Sequence, residues 1–278
     1  MADPTAVPSA TEPRWSPSDS GWRLTYGAQP SQFAELHLPS SDDWAPVCVV
    51  VHGGFWRARY GMDLGTPLAA DLAASGVAAL NVEYRRVGDG GGWPHTCLDV
   101  ATAVDALAAA PPELAARLDL HRVVALGHSA GGHLAGWLAG RPRLPDAAPG
   151  ARPRVPLTGF VAQAGVLDLE AAVAARLGNG AVDDFLGPGS DRRGEAYALA
   201  SPIRLLPTGI PSVLVHGDQD EDVPLEQSRR YAAAAIAAGD RCTLVERPGA
   251  DHYGVITVGS PDWQVCRSAV LDLLAACG

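Results

Sequence analysis

The chain of 278 residues contains no lysine, because all 21 of its basic residues are arginines. This absence excludes a P-loop lysine, the Schiff-base lysine of a pyridoxal enzyme and a Ser-Lys dyad. The 31 acidic residues outnumber the basic ones, so the formal net charge is −10, and no basic run stands out. We therefore expect no nucleic-acid partner.

Cysteine is scarce, and long apolar runs are missing. The five cysteines are scattered, and none forms a C-x-x-C pair, which predicts reduced, mostly buried thiols in a cytoplasmic protein. No uncharged apolar run reaches about 18 residues in a form suited to a bilayer, so we expect no membrane span.

Strands and helices alternate along most of the chain, and 47% of the residues are hydrophobic, enough for a large core. Apolar runs predict strands at 32–38, 47–51, 77–82, 122–126, 157–164, 213–216 and 243–246. Helical patterns cover 64–74, 95–110, 132–140, 225–238 and 261–276. This alternation predicts an α/β fold, a mostly parallel twisted sheet with helices on both faces.

The predicted domain organisation is simple. Residues 1–20 are rich in Pro, Ser, Thr and Ala, and we expect them to form a flexible tail. Residues 21–278 are expected to form a single domain. Residues 166–207 do not fit the alternation and are the candidate for a small cap insertion over the functional site.

The turn Gly127–Gly131 has the pattern G-x-S-x-G, with Ser129 at its centre. A strand, a sharp turn and a helix are the context in which this pattern holds a nucleophilic serine above a sheet. The strained turn needs small neighbours, and the helix N-terminus favours developing negative charge. We therefore expect Ser129 to be a nucleophile, with a plain glycine-rich turn as the alternative.

A serine nucleophile needs a base, and the base needs an orienting acid. For a serine in this kind of turn, the acid and then the histidine follow along the chain, each at the end of a strand. Asp218, Asp220 and Asp222 follow one predicted strand, and His252 follows the next. The order predicts Ser129, one of the three aspartates and His252 as the catalytic residues.

The seven other histidines are predicted to have structural roles. Two lie before or at the start of strands, on the wrong edge of the sheet (His37 and His121), and two lie in helices (His95 and His133). The remaining three adjoin strand ends, where packing or turn roles are more common: His52, His128 and His216.

An oxyanion hole requires two backbone N–H groups that point at one position. One belongs to the residue after the nucleophile, Ala130, and the other is expected from a loop after an earlier strand. The loop His52–Phe55 follows a buried strand, and its glycines let the backbone approach a substrate closely. We expect Gly54, Phe55 and Ala130 to be the donors, with a plain Gly-Gly turn as the alternative.

These segments together resemble the α/β-hydrolase superfamily, in particular its small esterase and kynurenine formamidase-like branch, from about Leu24 onwards. The family pattern H-G-x-x-D-x-x-V-P implies that the catalytic acid is Asp220. Phe55 stands where kynurenine formamidases often have tyrosine. The motifs that carry the resemblance are H-G-G-F-W (52–56), N-V-E-Y-R-R (81–86), W-P (93–94), G-H-S-A-G-G-H-L (127–134), S-P (201–202), H-G-D-Q-D-E-D-V-P (216–224) and D-H-Y (251–253).

The resemblance implies an α/β-hydrolase fold and acyl transfer through an acyl-enzyme. Asp220 orients His252, His252 takes the proton of Ser129, and the serine oxygen attacks a carbonyl. Water then hydrolyses the acyl-enzyme. No metal or organic cofactor is expected, and the sequence has no H-E-x-x-H motif or cluster of His and Cys that suggests one.

The residues expected to contact the substrate are mostly aromatic, with core packing as the alternative for each: Trp56, Tyr60, Trp93 and Tyr253. Arg85 or Arg86 is a candidate to pair with a substrate carboxylate, although pairing within the chain with Asp99 or Glu83 is the more common outcome. Residues expected to cover the pocket lie in the segment 181–200: Phe185, Arg192, Arg193 and Tyr197.

Several functions fit this pattern. The first is a serine hydrolase acting on a small amide or ester, with an aryl formamide such as N-formylkynurenine as the named candidate. A short-chain carboxylesterase is the second, and a peptidase is third because the chain lacks the large extra domain of prolyl oligopeptidase-type enzymes. A non-catalytic binding module is disfavoured because all three triad positions are occupied. We expect a small-molecule substrate as the partner, and a monomer or homodimer.

Overall fold

A computed structural model describes residues 12–187 and 193–276. In these ranges the strands are β1 (Arg14–Ser18), β2 (Gly21–Thr25), β3 (Phe33–His37), β4 (Ala45–Val51), β5 (Ala78–Val82), β6 (Leu118–His128), β7 (Gly159–Gln163), β8 (Ser212–Gly217) and β9 (Cys242–Arg247). The α-helices are α1 (Thr66–Ala74), α2 (His95–Asp105), α3 (Pro112–Ala115), α4 (Ala130–Gly140), α5 (Leu169–Ala174), α6 (Ala181–Leu186), α7 (Arg193–Ala200), α8 (Glu226–Ala237) and α9 (Pro261–Ala275).

The strands form one sheet in the order β1-β2-β3-β5-β4-β6-β7-β8-β9. The strands from β5 to β9 in this order pair in parallel, whereas β1, β2 and β3 add an antiparallel edge. The predicted mostly parallel sheet is therefore confirmed. The seven predicted strands correspond to β3–β9, and the five predicted helices to α1, α2, α4, α8 and α9.

Hydrophobic side chains cover both faces of the sheet. Along β4, Val47, Val49 and Val51 enter one core, while Cys48 and Val50 enter the other. This division arises because successive side chains of a strand point to opposite faces. A strand buried on both faces reads as a continuous apolar run, which is why β4 is recognisable from the sequence.

The N-terminal edge differs from the prediction of a flexible tail over residues 1–20. Residues 14–18 form β1, which pairs antiparallel with β2, and Trp15 packs against the core. These strands are short and largely polar, and β1 contains Pro17, so they lack the apolar pattern that marks the central strands. Residues 1–11 lie outside the described residues.

The region predicted as a cap insertion, residues 166–207, holds the short helices α5, α6 and α7 and contains no strand in its described part. Phe185 of α6 is buried and stacks on Trp56, with ring centroids 4.8 Å apart. The backbone oxygen of Phe185 also accepts a hydrogen bond from the Trp93 amide at 2.7 Å. The insertion is thus attached to the loops that follow β4 and β5.

The turn between β6 and α4 is held in place by glycines that touch other backbone segments. An added Cβ on Gly131 would overlap the carbonyl oxygens of Val51 and His52 at the end of β4. An added Cβ on Gly132 would lie 2.7 Å from the Cα of Gly165. These contacts let the start of α4 pack directly against the ends of β4 and β7.

We predict that Gly131→Ala destabilises the protein by about 3 kcal/mol or more, because the methyl group overlaps backbone atoms that side-chain rotation cannot move. Thermal unfolding of the purified variant measures this effect. The matched control is Gly194→Ala in α7, where an added Cβ meets no atom within 4 Å. The prediction is contradicted if both variants unfold at the wild-type temperature.

Candidate active site

Ser129 occupies the sharp turn between β6 and α4, with φ 54° and ψ −117°. A non-glycine residue at positive φ carries strain of about 1–3 kcal/mol, which the surroundings must compensate. The backbone N–H of Ser129 donates a hydrogen bond to the backbone carbonyl oxygen of Gln163 at 2.8 Å. The Ser129 carbonyl accepts from the amides of His133 at 3.1 Å and Val166 at 3.2 Å. This backbone geometry is the one expected of a nucleophile held above a sheet.

His252 follows β9 and contacts one of the three candidate aspartates. Its Nδ1 lies 2.6 Å from Oδ2 of Asp220. The other oxygen, Oδ1, accepts the amides of Asp222 at 2.9 Å and Val223 at 2.8 Å. Asp218 instead accepts the amide of Gly249 at 2.7 Å. Asp220 is therefore the aspartate positioned to orient His252.

The Asp220 carboxylate is fully buried. Burial alone raises its pKa, but hydrogen bonds from His216, His252 and the Val223 amide outweigh this effect and hold the pKa well below the ordinary value. The carboxylate therefore stays ionised at neutral pH. An ionised acid can hold the Nδ1 proton of His252 and leave Nε2 as the proton acceptor.

His128, the residue before Ser129, links the serine turn to the His252 loop. Its Nε2 lies 2.9 Å from the His252 carbonyl oxygen, and the two rings have centroids 4.5 Å apart. Burial, followed by the nearby charge of His252, lowers the pKa of His128 to about 3. Because a neutral ring must donate to that carbonyl, the proton is on Nε2. The sequence predicts only a packing or turn role for His128, and its position beside Ser129 is the available signal for this contact.

The loop after β4 passes directly over the serine turn. An added Cβ on Gly53 would lie 3.1 Å from the Cβ of Ser129. Gly54 and Phe55 both have positive φ, at 111° and 54°. Within the described ranges, no acceptor takes a hydrogen bond from the amides of Gly54, Phe55 or Ala130. These are the amides expected to form an oxyanion hole.

A buried ionic network supports this loop. His52 Nε2 lies 3.1 Å from Glu83 Oε1, and the His52 ring stacks on Tyr84 with centroids 4.3 Å apart. Arg86 contacts the same carboxylate at 3.0 Å and donates to the backbone oxygen of Tyr60. Burial raises the pKa of Glu83, but its contacts with His52 and two amides lower it overall. The contacts of Glu83 with Arg86 and His52 therefore hold this loop in place.

Arg85 forms an ion pair within the chain. Its Nε and Nη2 donate to both carboxylate oxygens of Asp99, at 2.8 and 2.7 Å. Pairing within the chain, the alternative weighed above, is therefore what the structure shows for Arg85, and its contact with a substrate stays a prediction. A bidentate pair of this kind is geometrically satisfied and difficult to break for a ligand.

Two of the four candidate aromatic residues pack in or against the core: Trp56 is a core residue, and Trp93 lies at the core surface. Trp56 is fully buried, and its Nε1 donates to His133 Nδ1 at 3.2 Å. Trp93 is partly buried and packs edge-on against Trp137, with centroids 6.3 Å apart. Packing these large rings against the core is favourable because each removes a large apolar area from water.

Tyr60 and Tyr253 lie beside the candidate site. Tyr60 packs so closely on Gly54 that an added Cβ there would overlap its ring. Tyr253 is 54% exposed, and its ring centroid lies 5.3 Å from that of His252. Tyr60 therefore adjoins the loop after β4, and Tyr253 adjoins His252.

The insertion touches the oxyanion loop through two further contacts. The Phe55 ring lies against Gly178, where an added Cβ would overlap it, and Arg57 pairs with Asp184 at 3.2 Å. Of the residues predicted to cover the pocket, Phe185 is core and Tyr197 packs against the core. Arg192 and the side chain of Arg193 lie outside the described residues.

No group of three or more His, Cys, Asp and Glu side chains in 12–187 and 193–276 could hold a metal ion. In the same part of the chain, no helix combines the length and the apolar character needed to cross a bilayer.

A mostly parallel sheet that carries a serine in the β6–α4 turn, an aspartate after β8 and a histidine after β9 is the arrangement of the α/β-hydrolases. A family model described as BD-FAE matches residues 35–234, more than half of the chain. The chain therefore belongs to the BD-FAE family.

The chain is 30% identical over 243 residues to "Esterase LipC" of Mycobacterium tuberculosis, a match that covers 83% of the chain and 59% of that protein. The chain thus spans about three fifths of this relative's length.

Solved structures share the fold. A truncated carbohydrate esterase from gut microbiota superposes with a TM-score of 0.73 at 18% identity, covering 90% of this chain and 94% of that one. Thermogutta terrifontis esterase 2 superposes with a TM-score of 0.69 at 24% identity, covering 100% and 98%.

We predict that the free energy of unfolding decreases as the pH falls from about 6.5 to about 4.5. Burial lowers the pKa of His133 to about 4 and that of His128 to about 3. The unfolded chain therefore binds protons in this range that the folded chain does not, so the stability present above about pH 6.5 is lost at lower pH.

Each histidine contributes a slope of about 1.4 kcal/mol per pH unit, measured by urea unfolding at several pH values. His133→Gln should reduce the slope by that amount, and His121→Gln, at an exposed histidine, should leave it unchanged. An identical slope in His133→Gln and wild type would contradict the assignment.

Proposed function

We propose that the protein is a serine hydrolase that cleaves small esters by acyl transfer to Ser129. The observation that carries this proposal is the 2.6 Å contact between His252 and the buried Asp220, in a loop that His128 ties to the serine turn. A buried, ionised acid with an oriented imidazole is the arrangement that activates a serine hydroxyl.

In the proposed mechanism, His252 takes the hydroxyl proton as Ser129 attacks the substrate carbonyl. Asp220 holds the Nδ1 proton and stabilises the imidazolium that forms. The amides of Gly54, Phe55 and Ala130 donate to the oxyanion. Each such donor is worth roughly 3 kcal/mol in comparable hydrolases. His252 then protonates the leaving group, and water, activated by the same imidazole, hydrolyses the acyl-enzyme.

Esters are the favoured substrate class. The named relatives are esterases, and the two arginines proposed to bind a substrate carboxylate are already paired: Arg85 with Asp99 and Arg86 with Glu83. An amino-acid-like formamide such as N-formylkynurenine carries a carboxylate that would need such a partner. The formamidase alternative rests on the H-G-G-F-W and G-H-S-A-G-G-H-L motifs.

Tyr60 and Tyr253 are the proposed substrate contacts. They flank the amides and the base, and partly exposed tyrosine rings offer apolar area with little loss of conformational freedom.

The cytoplasmic location and the monomeric or dimeric state stay predictions. Four described cysteines are free, which agrees with a reducing environment.

We predict that wild-type protein hydrolyses a short-chain aryl ester and that Ser129→Ala lowers kcat by a factor of about 10⁴ or more, because the nucleophile is lost. The measurement pairs this ester with N-formylkynurenine. Labelling by a fluorophosphonate probe reports the activated serine independently of the substrate.

Faster turnover of the formamide than of the ester would replace the esterase proposal with the formamidase alternative. A folded wild-type sample that neither turns over substrate nor labels would support the binding-module alternative. Gly194→Ala serves as the matched control, since its position in α7 contacts nothing that forms the site.

We predict that Tyr253→Ala raises KM for an aryl ester by about tenfold and changes kcat less, because the ring supplies binding area rather than chemistry. Tyr253→Phe should retain most of the affinity. Steady-state kinetics on both variants test this role. A large decrease of kcat with unchanged KM would instead place Tyr253 in the chemical step.

A further inference from the structure

His216, at the end of β8, is fully buried beside the proposed catalytic acid. Its Nδ1 lies 2.8 Å from the Ser228 hydroxyl. Its Nε2 lies 2.9 Å from the Val223 carbonyl oxygen and 3.2 Å from Asp220 Oδ2. The sequence predicts only a packing or turn role for this histidine.

The neighbours of His216 determine which nitrogen carries the proton. A carbonyl oxygen and a carboxylate oxygen can only accept hydrogen bonds, and both face Nε2. A lone pair on Nε2 would be repelled by both oxygens, so the proton must be on Nε2. In the neutral ring Nδ1 is then an acceptor, and the Ser228 hydroxyl donates to it.

Asp220 is consequently held by donors on both of its oxygens. Oδ1 accepts two backbone amides, whereas Oδ2 lies between the Nδ1 of His252 and the Nε2 of His216. The Nε2–H of His216 is shared between Val223 and Asp220, with the carbonyl as the nearer acceptor. Two imidazoles therefore face one carboxylate oxygen.

We propose that His216 is a positioning residue of the hydrolytic triad, whose Nε2–H restrains Asp220 Oδ2 and limits how strongly this oxygen holds the proton of His252. This inference rests on the proposed serine-hydrolase function. When a carboxylate loses one hydrogen-bond donor, its negative charge interacts more strongly with the donors that remain. Removal of His216 should therefore strengthen the attraction between Asp220 and protonated His252.

The pKa of Asp220 agrees with this geometry: burial raises it, and the hydrogen bond from His216 is the largest of the opposing effects that lower it overall. Other titratable groups also face this cluster. They come from the end of β6, the acid loop, the His252 loop and β9, and none is altered by the variants below: His128, Asp222, Asp251, Tyr253 and Glu246.

The test is the pH dependence of kcat/KM for an aryl ester, from about pH 5 to about pH 9, in wild type, His216→Leu and His216→Gln. His216→Leu removes the donor, and we expect the midpoint of the ascending limb to move to higher pH by about one unit. His216→Gln retains an N–H donor near the Nε2 position, so its midpoint should return close to the wild-type value. His121→Gln is the matched control and should leave the profile unchanged.

A structural role alone would lower kcat or stability without moving the midpoint. An unchanged midpoint in folded His216→Leu, or equal midpoints for the leucine and glutamine variants, therefore overturns the proposal. Should His216→Leu fail to fold, Ser228→Ala keeps the imidazole but removes the partner of Nδ1. It should shift the midpoint in the same direction by a smaller amount, and no shift would overturn the proposal.

Nitrogen NMR of wild-type imidazoles provides a readout that does not depend on activity. The signals of His216, assigned by their loss in His216→Gln, should show a protonated Nε2 and an unprotonated Nδ1 at neutral pH. The opposite tautomer would overturn the proposal. Failure of the proposed function is distinguishable, because wild-type protein would then neither hydrolyse the ester nor label with fluorophosphonate, whatever the tautomer.

Discussion

The close backbone contact between the serine turn and the end of β4 is the constraint on which the candidate site depends. Because Gly131 has no side chain, the start of α4 can lie against the carbonyls of Val51 and His52. The same approach places Gly53 next to the side chain of Ser129. A loop that carries oxyanion donors can work only if it lies this close to the nucleophile.

Three hydrogen bonds from neighbouring strand ends hold the His252 loop. His128, the last residue of β6, contacts the His252 carbonyl, and Gln163, the last residue of β7, donates to the Val255 carbonyl. Asp220, after β8, holds the ring itself. His252 is therefore positioned through its loop backbone and its side chain, by residues at the ends of strands that are neighbours in the sheet. The orientation of the His252 ring therefore depends on all three of these contacts rather than on one.

The central strands could be predicted from local patterns, and the positions of Ser129, Asp220 and His252 after β6, β8 and β9 could be predicted from the chain order. Buried parallel strands read as apolar runs, and the chain order of serine, aspartate and histidine follows from the topology. The edge strands β1 and β2 were missed because they are polar. Burial of Trp56 and the contacts of His128 and His216 depend on long-range packing. No local pattern encodes such contacts.

The anchoring of the insertion joins parts of the protein that are far apart in sequence. The Phe185 ring stacks on Trp56 of the oxyanion loop and meets His133, one helical turn beyond Ser129, at 5.2 Å. Contacts among these three rings therefore join the insertion to the loop after β4 and to α4. If the loop after β4 forms the proposed oxyanion hole, an insertion exchanged between relatives would change turnover rate as well as substrate preference, because the graft would replace side chains that pack against that loop.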